Sequence, residues 1–552
     1  MKPFEKEIIA YALQNALKFG KADAGKILPK LFQHGLKRED IGGVMPLISE
    51  IVKKVNSMND KERLKELENF EGIARKKVFE TKGLPALKQS EVSGKMTFRL
   101  APFPSGALHI GNAKTYLLNA LYAEEYDADL LLVIDDTIGS VEKQADKESY
   151  DLIEDGFKWL GVNYKKPVIY KSDRLEIYYK YAKELIEKNK AYVCYCIQEE
   201  LRENRAKGVE CSCRQFPPGI QLERWKEMFN AKEGQAVMRI KTNMTDPNPA
   251  FRDRVLFKIS DREHPRVGKK YRVWPTLEMS WAIDDHLLKI THILRGNELM
   301  IETKMEKYIW DIFKWKHPEV IHVGIVKLEG LVGKISKSKS TKEVKSGVYT
   351  GWDDPRTWSI QSLIRRGILK ESIREFVKEI GLNRQDITVP IDSLYAINRK
   401  TLDAGTNRYF FVANPVKIEI ENNLGLKEAK LPLHPDKKDM RTVKVGKKIF
   451  VSGEDWEKLK GKEVRLLHLF NLTLDEKTKI TSIENKNIPK IHWVSDKVDA
   501  RVLMPDGKWI EGFADSGIEH LRKYEVIQFE RFGFVRYDGT KKGVKEFWFA
   551  HR

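Results

Sequence analysis

Hydrophobic positions near the start of the chain recur at helical spacing. Ile8, Ile9, Tyr11, Ala12, Leu13 and Ala16 cluster on one side of a helical wheel, and Ser57 to Lys82 is charge-dense with few breakers. Helices are therefore predicted up to about residue 95, with no catalytic constellation among them. At Thr97 the pattern changes. Thr97-Phe98-Arg99-Leu100-Ala101 reads as a strand, Pro102, Pro104 and Gly106 turn it into a loop, and a helix is predicted from Gly111 to Glu125. Leu130 to Ile134 is a second apolar run of strand length, and Tyr150 to Leu160 and Arg174 to Lys188 carry helical patterning. Wholly apolar strands alternating with helices predict a parallel α/β sheet buried on both faces. From Lys190 to about Trp274 the alternation gives way to cysteines, prolines and basic residues, read as an irregular insertion. Ile283 to Leu294 is read as the sheet resuming. Beyond Pro415, short β-rich runs separated by turn signals predict barrel or sandwich modules: Val416–Ile420, Val464–Leu466, Val526–Phe529 and Phe547–Phe549.

Composition narrows the class. The chain has 552 residues, enough for several domains at about 100–200 residues each. Lys plus Arg is 99 against 80 Asp plus Glu, a formal net charge of +19, which argues for a polyanionic partner, nucleic acid first. An anionic membrane surface is the rival, but the charge is spread along the chain with no polybasic tail. The longest aliphatic run, Leu130 to Ile134, is too short to span a bilayer. No apolar segment with a cleavage site opens the chain, so a cytoplasmic protein is expected. The four cysteines, Cys194, Cys196, Cys211 and Cys213, form two Cys-x-Cys pairs on one short stretch. That grouping suits a single four-thiolate zinc site better than a disulfide framework; reduced cysteines without metal are the alternative.

Two motifs carry chemistry. The first is Arg99-Leu100-Ala101-Pro102-Phe103-Pro104-Ser105-Gly106-Ala107-Leu108-His109-Ile110-Gly111-Asn112, a strand, a Pro/Gly loop and a histidine at the start of a helix. A helix N-terminus favours anions, and small glycines let a triphosphate approach. The second is Lys334-Ile335-Ser336-Lys337-Ser338-Lys339-Ser340, a basic small-residue loop suited to charge developing on a leaving phosphate. In this order, on an α/β background, the pair resembles the HIGH and KMSKS signatures of the class I aminoacyl-tRNA synthetases. "RLAPFPSGALHIGN", "PTLEMSWAIDDHLLKITHILRGNEL" and "GWDDPRTWSIQSLIRRG" are similar to the glutamyl/glutaminyl subclass. The all-β C-terminal third, "NRKTLDAGTNRYF" and "QFERFGFVRYD" resemble its archaeal/eukaryotic glutamyl type.

The resemblance implies a multidomain α/β fold: a helical N-terminal extension (1–95), a Rossmann-like catalytic domain in two halves (96–189 and 276–330), and an acceptor-end-binding insertion with the cysteine cluster (190–275). A KMSKS-type loop with a stem-contact helical region (331–414) and a β-barrel anticodon-binding region (415–552) follow. It implies ATP-dependent activation of glutamate and transfer to tRNA-Glu, with ATP, Mg²⁺ and a structural zinc. His109, Gly111 and Asn112 would bind ATP phosphates, with Lys334, Ser336 and Lys337 from the second motif; His109, Lys334 and Lys337 are the catalytic set. Arg99 is the candidate for the substrate's side-chain carboxylate, since a guanidinium offers a planar bidentate fork. Asp135 matches the acid that holds the α-ammonium group, and Ala101 and Arg295 complete the substrate set.

Some positions depart from the family pattern: Phe103, Val133, Ile138, Leu277 and Trp281, the last where an asparagine or a small residue is usual. For tRNA, Arg365 and Arg366 fall in the stem-contact region, and Arg441, Lys444, Arg531 and Arg536 lie among aromatics in the β region. A monomer is expected, with the N-terminal extension docking a partner protein and no membrane contact. Charging of tRNA-Gln with glutamate is left open. The competing readings are a glutaminyl enzyme of the same subclass and a catalytically inactive tRNA- or protein-binding scaffold.

Overall fold

The computed structural model describes residues 4–552 apart from 32–33, 35, 37, 71–83, 139–143, 332–336 and 423–424; for Lys18, Pro29, Arg38, Glu68 and Lys337 it describes the backbone alone. The chain divides into two compact units, 1–83 and 84–552. In the first, helices α1 (Glu5–Phe19), α2 (Ala24–Leu31), α3 (Ile41–Asn56) and α4 (Asp60–Glu68) enclose Ile8, Ala12, Leu13, Ile27, Ile48 and Val55. The periodicity at Ile8, Ala12, Leu13 and Ala16 is the buried stripe of α1. A capping box between Asn59 and Glu62 starts α4, and Arg63 donates back to the carbonyls of Val55 and Gly20 at 3.1 and 3.2 Å. The helical prediction overruns at its end: residues 84–95 have no regular structure and belong to the second unit.

The second unit is built on parallel strands. β1 (Thr97–Leu100), β2 (Asp129–Ile134) and β3 (Lys165–Tyr170) form one parallel sheet in that order. Helices α5 (Ile110–Glu125) and α6 (Glu148–Trp159) make the crossovers, and α7 (Leu175–Glu187) follows β3. All four residues of β1 are buried, Thr97 and Arg99 included, since the strand is covered on both faces. Thr291 extends this layer: its backbone N–H donates to the Thr97 carbonyl at 3.0 Å, and its Oγ1 accepts from Thr97 N at 2.8 Å.

Residues 190–275, read as irregular, contain an antiparallel sheet of β4 (Ala191–Cys194), β5 (Val237–Ile240), β6 (Val255–Ile259) and β7 (Val273–Pro275). Its strands are three to five residues long, and the first two are separated by residues 195–236, which carry α8 (Gln198–Lys207) and α9 (Pro218–Met228), too little local pattern to read. Edge-on aromatic packing of Tyr179, Trp225, Phe229 and Phe257 fills its core. The expected strand at Ile283 is also corrected. Leu277–Leu287 is helix α10, and the strand β8 begins at His292 and ends at Gly296. Eight consecutive residues of α10, Glu278 to Asp285, are buried. A helix surrounded by protein loses the amphipathic period that would identify it. Helix α11 (Met300–Phe313) leads to β9 (Glu319–Val323), which pairs parallel with β8.

Next come β10 (Val326–Glu329), helices α12 (Lys337–Lys345), α13 (Ile360–Arg366) and α14 (Lys370–Ile380), β11 (Ile387–Pro390) parallel to β10, and α15 (Ile391–Asp403). The C-terminal part is sheet-rich, as the short β runs predict. One body, around Ile418, Val451, Val464, Leu472 and Trp493, is inserted in the chain between the first two strands (Arg408–Tyr409 and Phe411–Ala413) and the rest of a seven-stranded sheet whose core includes Phe411, Val502, Ile527, Phe529 and Phe547. Among the described residues no helix is long and apolar enough to cross a membrane.

Two arginines expected to meet tRNA are spent inside this architecture. Arg366, fully buried at the end of α13, donates to the carbonyls of Phe549 and Ala550 at 3.1 and 2.8 Å and to the Tyr395 hydroxyl at 2.9 Å. It ties α13 to the last strand. Arg441 donates to both oxygens of Asp515, at 3.2 and 3.0 Å, and to the Pro432 carbonyl at 2.7 Å, fastening the 428–444 hairpin to the large sheet. Arg365 is held by Asp353 and Asp538, Arg531 by both oxygens of Asp455, and Arg536 by the Ile364 carbonyl, whereas Lys444 is exposed. Arg366→Ala should strand two buried carbonyls and cost about 2–4 kcal/mol in urea unfolding of the full chain. A loss below about 0.5 kcal/mol, the scale of an ordinary surface change, would show that the clamp does not hold this junction.

Candidate active site

The loop after β1 ends at His109, which caps α5 in an unusual way. Its Nδ1 accepts from Asn112 N at 3.3 Å, while its backbone N–H donates to Asn112 Oδ1 at 3.0 Å. With Nδ1 an acceptor, the neutral ring carries its proton on Nε2. Gly111 makes room for the ring: a Cβ there would meet the imidazole at 3.1 Å. The turn is bracketed by a distant segment. His109 and Ser359 form a backbone bridge, Ile110 N donates to the Trp358 carbonyl at 3.3 Å, and Ile360 N to that of Leu108 at 2.8 Å.

The lysine motif meets the same loop. Thr341 Oγ1 on α12 donates to the Ser105 carbonyl at 3.1 Å, and Lys345 pairs with Asp146 at 2.6 Å. Lys337 opens α12, so the second half of the motif is helix and not loop. Lys334 and Ser336 lie outside the described residues. A cleft of about 830 Å³ runs past His109, Gly111 and Asn112, past Arg99, Ala101, Asp135 and Arg295, and reaches Leu331. His109, Arg99, Asp135 and Arg295 thus share one cavity, and α12 meets the loop between Arg99 and His109 at Ser105.

The charges at its base are paired. Arg99, buried at the end of β1, donates through Nε and Nη2 to the two oxygens of Asp285 on α10, the second bond at 2.9 Å. Nη1 takes no part in that pair. The guanidinium carbon lies 3.5 Å from the centre of the Trp281 ring. Asp135, at the C-terminal end of β2, is 3.2 Å from Lys171 Nζ, which also donates to Ser280 Oγ at 2.7 Å. Lys171 is wholly buried, which holds its ammonium below the usual lysine range against the pull of Asp135. Arg295 donates to both oxygens of Glu306, at 2.9 and 2.7 Å, and its buried Nε has no hydrogen-bond partner among the described residues. The neighbouring Asp284 takes Arg174 at 2.8 Å and the Tyr178 hydroxyl at 2.6 Å.

Behind Asp135, the buried Asp136 accepts from Ser172 N and Oγ at 2.9 and 2.7 Å and from the Tyr150 hydroxyl at 3.1 Å. Burial raises its carboxyl above the usual range, with the Ser172 bonds opposing. His264 Nε2 lies 2.6 Å from the Asp136 carbonyl, and its ring stacks on Trp274. These bonds hold the turn that presents Asp135. Lys171, Asp285 and Glu306 are functional neighbours that the sequence reading missed. Lys171 stands in no motif, and Asp285 and Glu306 lie on helices whose facing only the packing sets.

The four cysteines converge in the insertion. Their sulfurs all lie within 4.8 Å of one another, with Cys194–Cys211 at 3.7 Å and Cys196–Cys213 at 3.9 Å. A tetrahedral zinc with bonds of about 2.3 Å sets its sulfurs about 3.8 Å apart, so the spacing fits one ion. Arg224 Nη2 reaches Cys213 Sγ at 3.2 Å and Arg239 Nη1 reaches Cys211 Sγ at 3.8 Å, offsetting thiolate charge.

Residues 95–404 match the family model described as tRNA synthetases class I (E and Q), catalytic domain. Residues 406–493 and 490–538 match two models for the anti-codon binding domain of the same class. A glutamate–tRNA ligase of Pyrococcus furiosus is 42 % identical over 99 % of this chain and 100 % of its own length. One from Pyrococcus abyssi is 43 % identical over 99 % of this chain and 100 % of its own. Among solved structures, a glutamate tRNA ligase from Elizabethkingia meningosepticum covers 57 % of this chain and 71 % of its own, at 19 % identity and a TM-score of 0.41, too remote to bear on the site. The chain belongs to the class I (E and Q) tRNA synthetases, the family its two signature phrases resemble.

The pairing at Arg295 has a direct consequence. Glu306→Ala would leave a buried guanidinium without its hydrogen-bonded carboxylate, and should cost about 3–5 kcal/mol in urea unfolding. A near-native stability would mean that Arg295 is solvated from the cleft.

Proposed function

We propose that this chain is a glutamate–tRNA ligase: ATP and glutamate give glutamyl-adenylate and pyrophosphate, and the glutamyl group passes to the terminal adenosine of tRNA-Glu. The observation that carries it is the meeting of the His109 loop with the lysine-motif helix, through Thr341 and Ser105, beside a cleft walled by Arg99, Asp135 and Arg295. His109 Nε2–H and the start of α5 would hold the triphosphate, with Gly111 letting it approach. Lys337, at the first turn of α12, would bear the charge developing on the α-phosphate and departing pyrophosphate, with Lys334 and Ser336 assisting. Catalysis is then positioning plus electrostatics, with Mg²⁺ accompanying ATP and no covalent enzyme intermediate. The α-carboxylate of glutamate attacks the α-phosphate, and a ribose hydroxyl of the terminal adenosine then displaces AMP.

Arg99 Nη1 would take the glutamate side-chain carboxylate, and Asp135 the α-ammonium group, with Ala101 and Arg295 lining the same pocket. Cys194, Cys196, Cys211 and Cys213 would hold zinc, which when bound cross-links the insertion and supplies no chemistry to the reaction. Exposed Lys444 would contribute a phosphate contact, and the exposed sides of Arg365, Arg531 and Arg536 would offer further charge to tRNA.

Aminoacylation of purified tRNA-Glu and tRNA-Gln in parallel, with glutamate and then with glutamine, tests the reading. Glutamate on tRNA-Glu is the expected product, and glutamate on tRNA-Gln as well would widen the acceptor range. Glutamine alone would make it a glutaminyl enzyme, and no product would leave a binding scaffold. Lys337→Ala should slow activation on the order of 10²- to 10³-fold, the effect of removing one transition-state charge partner; a native rate would take Lys337 out of the mechanism. Elemental analysis should find one zinc per chain, lost in Cys213→Ser, and a metal-free parent would remove zinc from the account.

A further inference from the structure

Trp281 stands where the family resemblance predicts an asparagine or a small residue, and the structure gives its ring two cationic neighbours. It is nearly buried on α10 and lines the cleft beside Arg99, Asp135 and Arg295. The Arg99 guanidinium carbon lies 3.5 Å from the ring centre and Lys171 Nζ lies 3.3 Å from it. Two such groups cannot occupy one face at that height, so the indole lies between them.

This placement removes the freedom of both cations. Arg99 has one edge bound to Asp285 and its guanidinium carbon against the indole, so that Nη1 is the nitrogen outside the ion pair. Lys171 donates to Ser280 Oγ, pairs by charge with Asp135 and lies against the opposite ring face. One ring therefore touches Arg99 and the lysine that holds Asp135. Those are the two residues that would grip opposite ends of an acidic amino acid. We propose that Trp281 is a positioning residue of the amino-acid subsite, fixing Arg99 and, through Lys171, Asp135, so that the pocket selects a side-chain carboxylate over its amide. The inference rests on the glutamate reading given above. A guanidinium held rigidly offers only donors to the substrate side chain, which a carboxylate satisfies with either oxygen and an amide with one. Releasing the plane of Arg99 would let it turn away from the amide N–H₂ and so weaken the discrimination.

The test is steady-state aminoacylation by the full chain, with glutamate, glutamine and ATP varied in turn. Trp281→Leu should raise the glutamate KM on the order of 10- to 100-fold and lower the glutamate-over-glutamine preference, with the ATP KM within about twofold of the parent. Trp281→Phe, which keeps an aromatic face, should recover most of the loss. A native glutamate KM and preference in Trp281→Leu overturns the proposal. So does a parallel rise in the ATP KM, which marks general damage, or a Phe variant no better than Leu. If Trp281→Leu does not fold, Lys171→Met is measured instead. A raised glutamate KM with a native ATP KM supports the proposal, and any other pattern overturns it. A parent that charges tRNA with glutamine only refutes the substrate reading itself. A parent that charges glutamate while its variants are indifferent refutes only the part given to Trp281.

Discussion

Charge buried at the base of the cleft constrains everything around it. Arg99, Lys171 and Arg295 are each almost inaccessible to water, and each faces a carboxylate that is equally buried: Asp285, Asp135 and Glu306. A buried pair adds little net stability, but losing one partner is expensive, so the pairs act as registration pins. Asp285 lies on α10 and Glu306 on α11, while Arg99 and Asp135 close the first two strands of the sheet. The two helices must therefore lie where their acids reach the strand ends. That placement sets both arginines at the cleft with much of each guanidinium already spent on a carboxylate.

The His109 side of the cleft is braced by segments remote in sequence. The His109 turn is bridged to Ser359, and Ser359 opens α13 by accepting from Ser362 N. At the far end of the same short helix, Arg366 grips the carbonyls of Phe549 and Ala550 in the last strand. Asn398 Nδ2 meets His551 Nε2 at 2.9 Å beside it. The site's histidine and the C-terminal sheet are thus joined through seven residues of helix and a few hydrogen bonds, with Thr341 adding α12 from the side.

Much of this was legible in the residues. Apolar runs with strand length marked β1 and β2, the Pro/Gly loop marked the turn to α5, and short β runs marked the sheet-rich end. Both signature phrases identified the family. Legibility failed where local pattern was lost to burial or to brevity. α10 is enclosed on every side and so reads like a strand, and the insertion sheet has strands too short and too far apart to declare themselves. Arg366 and Arg441 read as nucleic-acid contacts because arginine among aromatics looks alike on a surface and in a core. Only burial and the carbonyls or carboxylate they bind separate the two cases.

By itself the sequence determined the chemistry on offer: a histidine at a helix start, a run of lysines, four clustered thiols and an arginine closing a buried strand. Those depend on residue type and short spacing, which the chain carries in plain order. Only the tertiary structure decided which of these share a cavity, which arginines are spent on the protein, and that Trp281 sits between two cations. Contacts of that kind join residues a hundred or more positions apart, and they arise from how helices and strands pack, which no local pattern records.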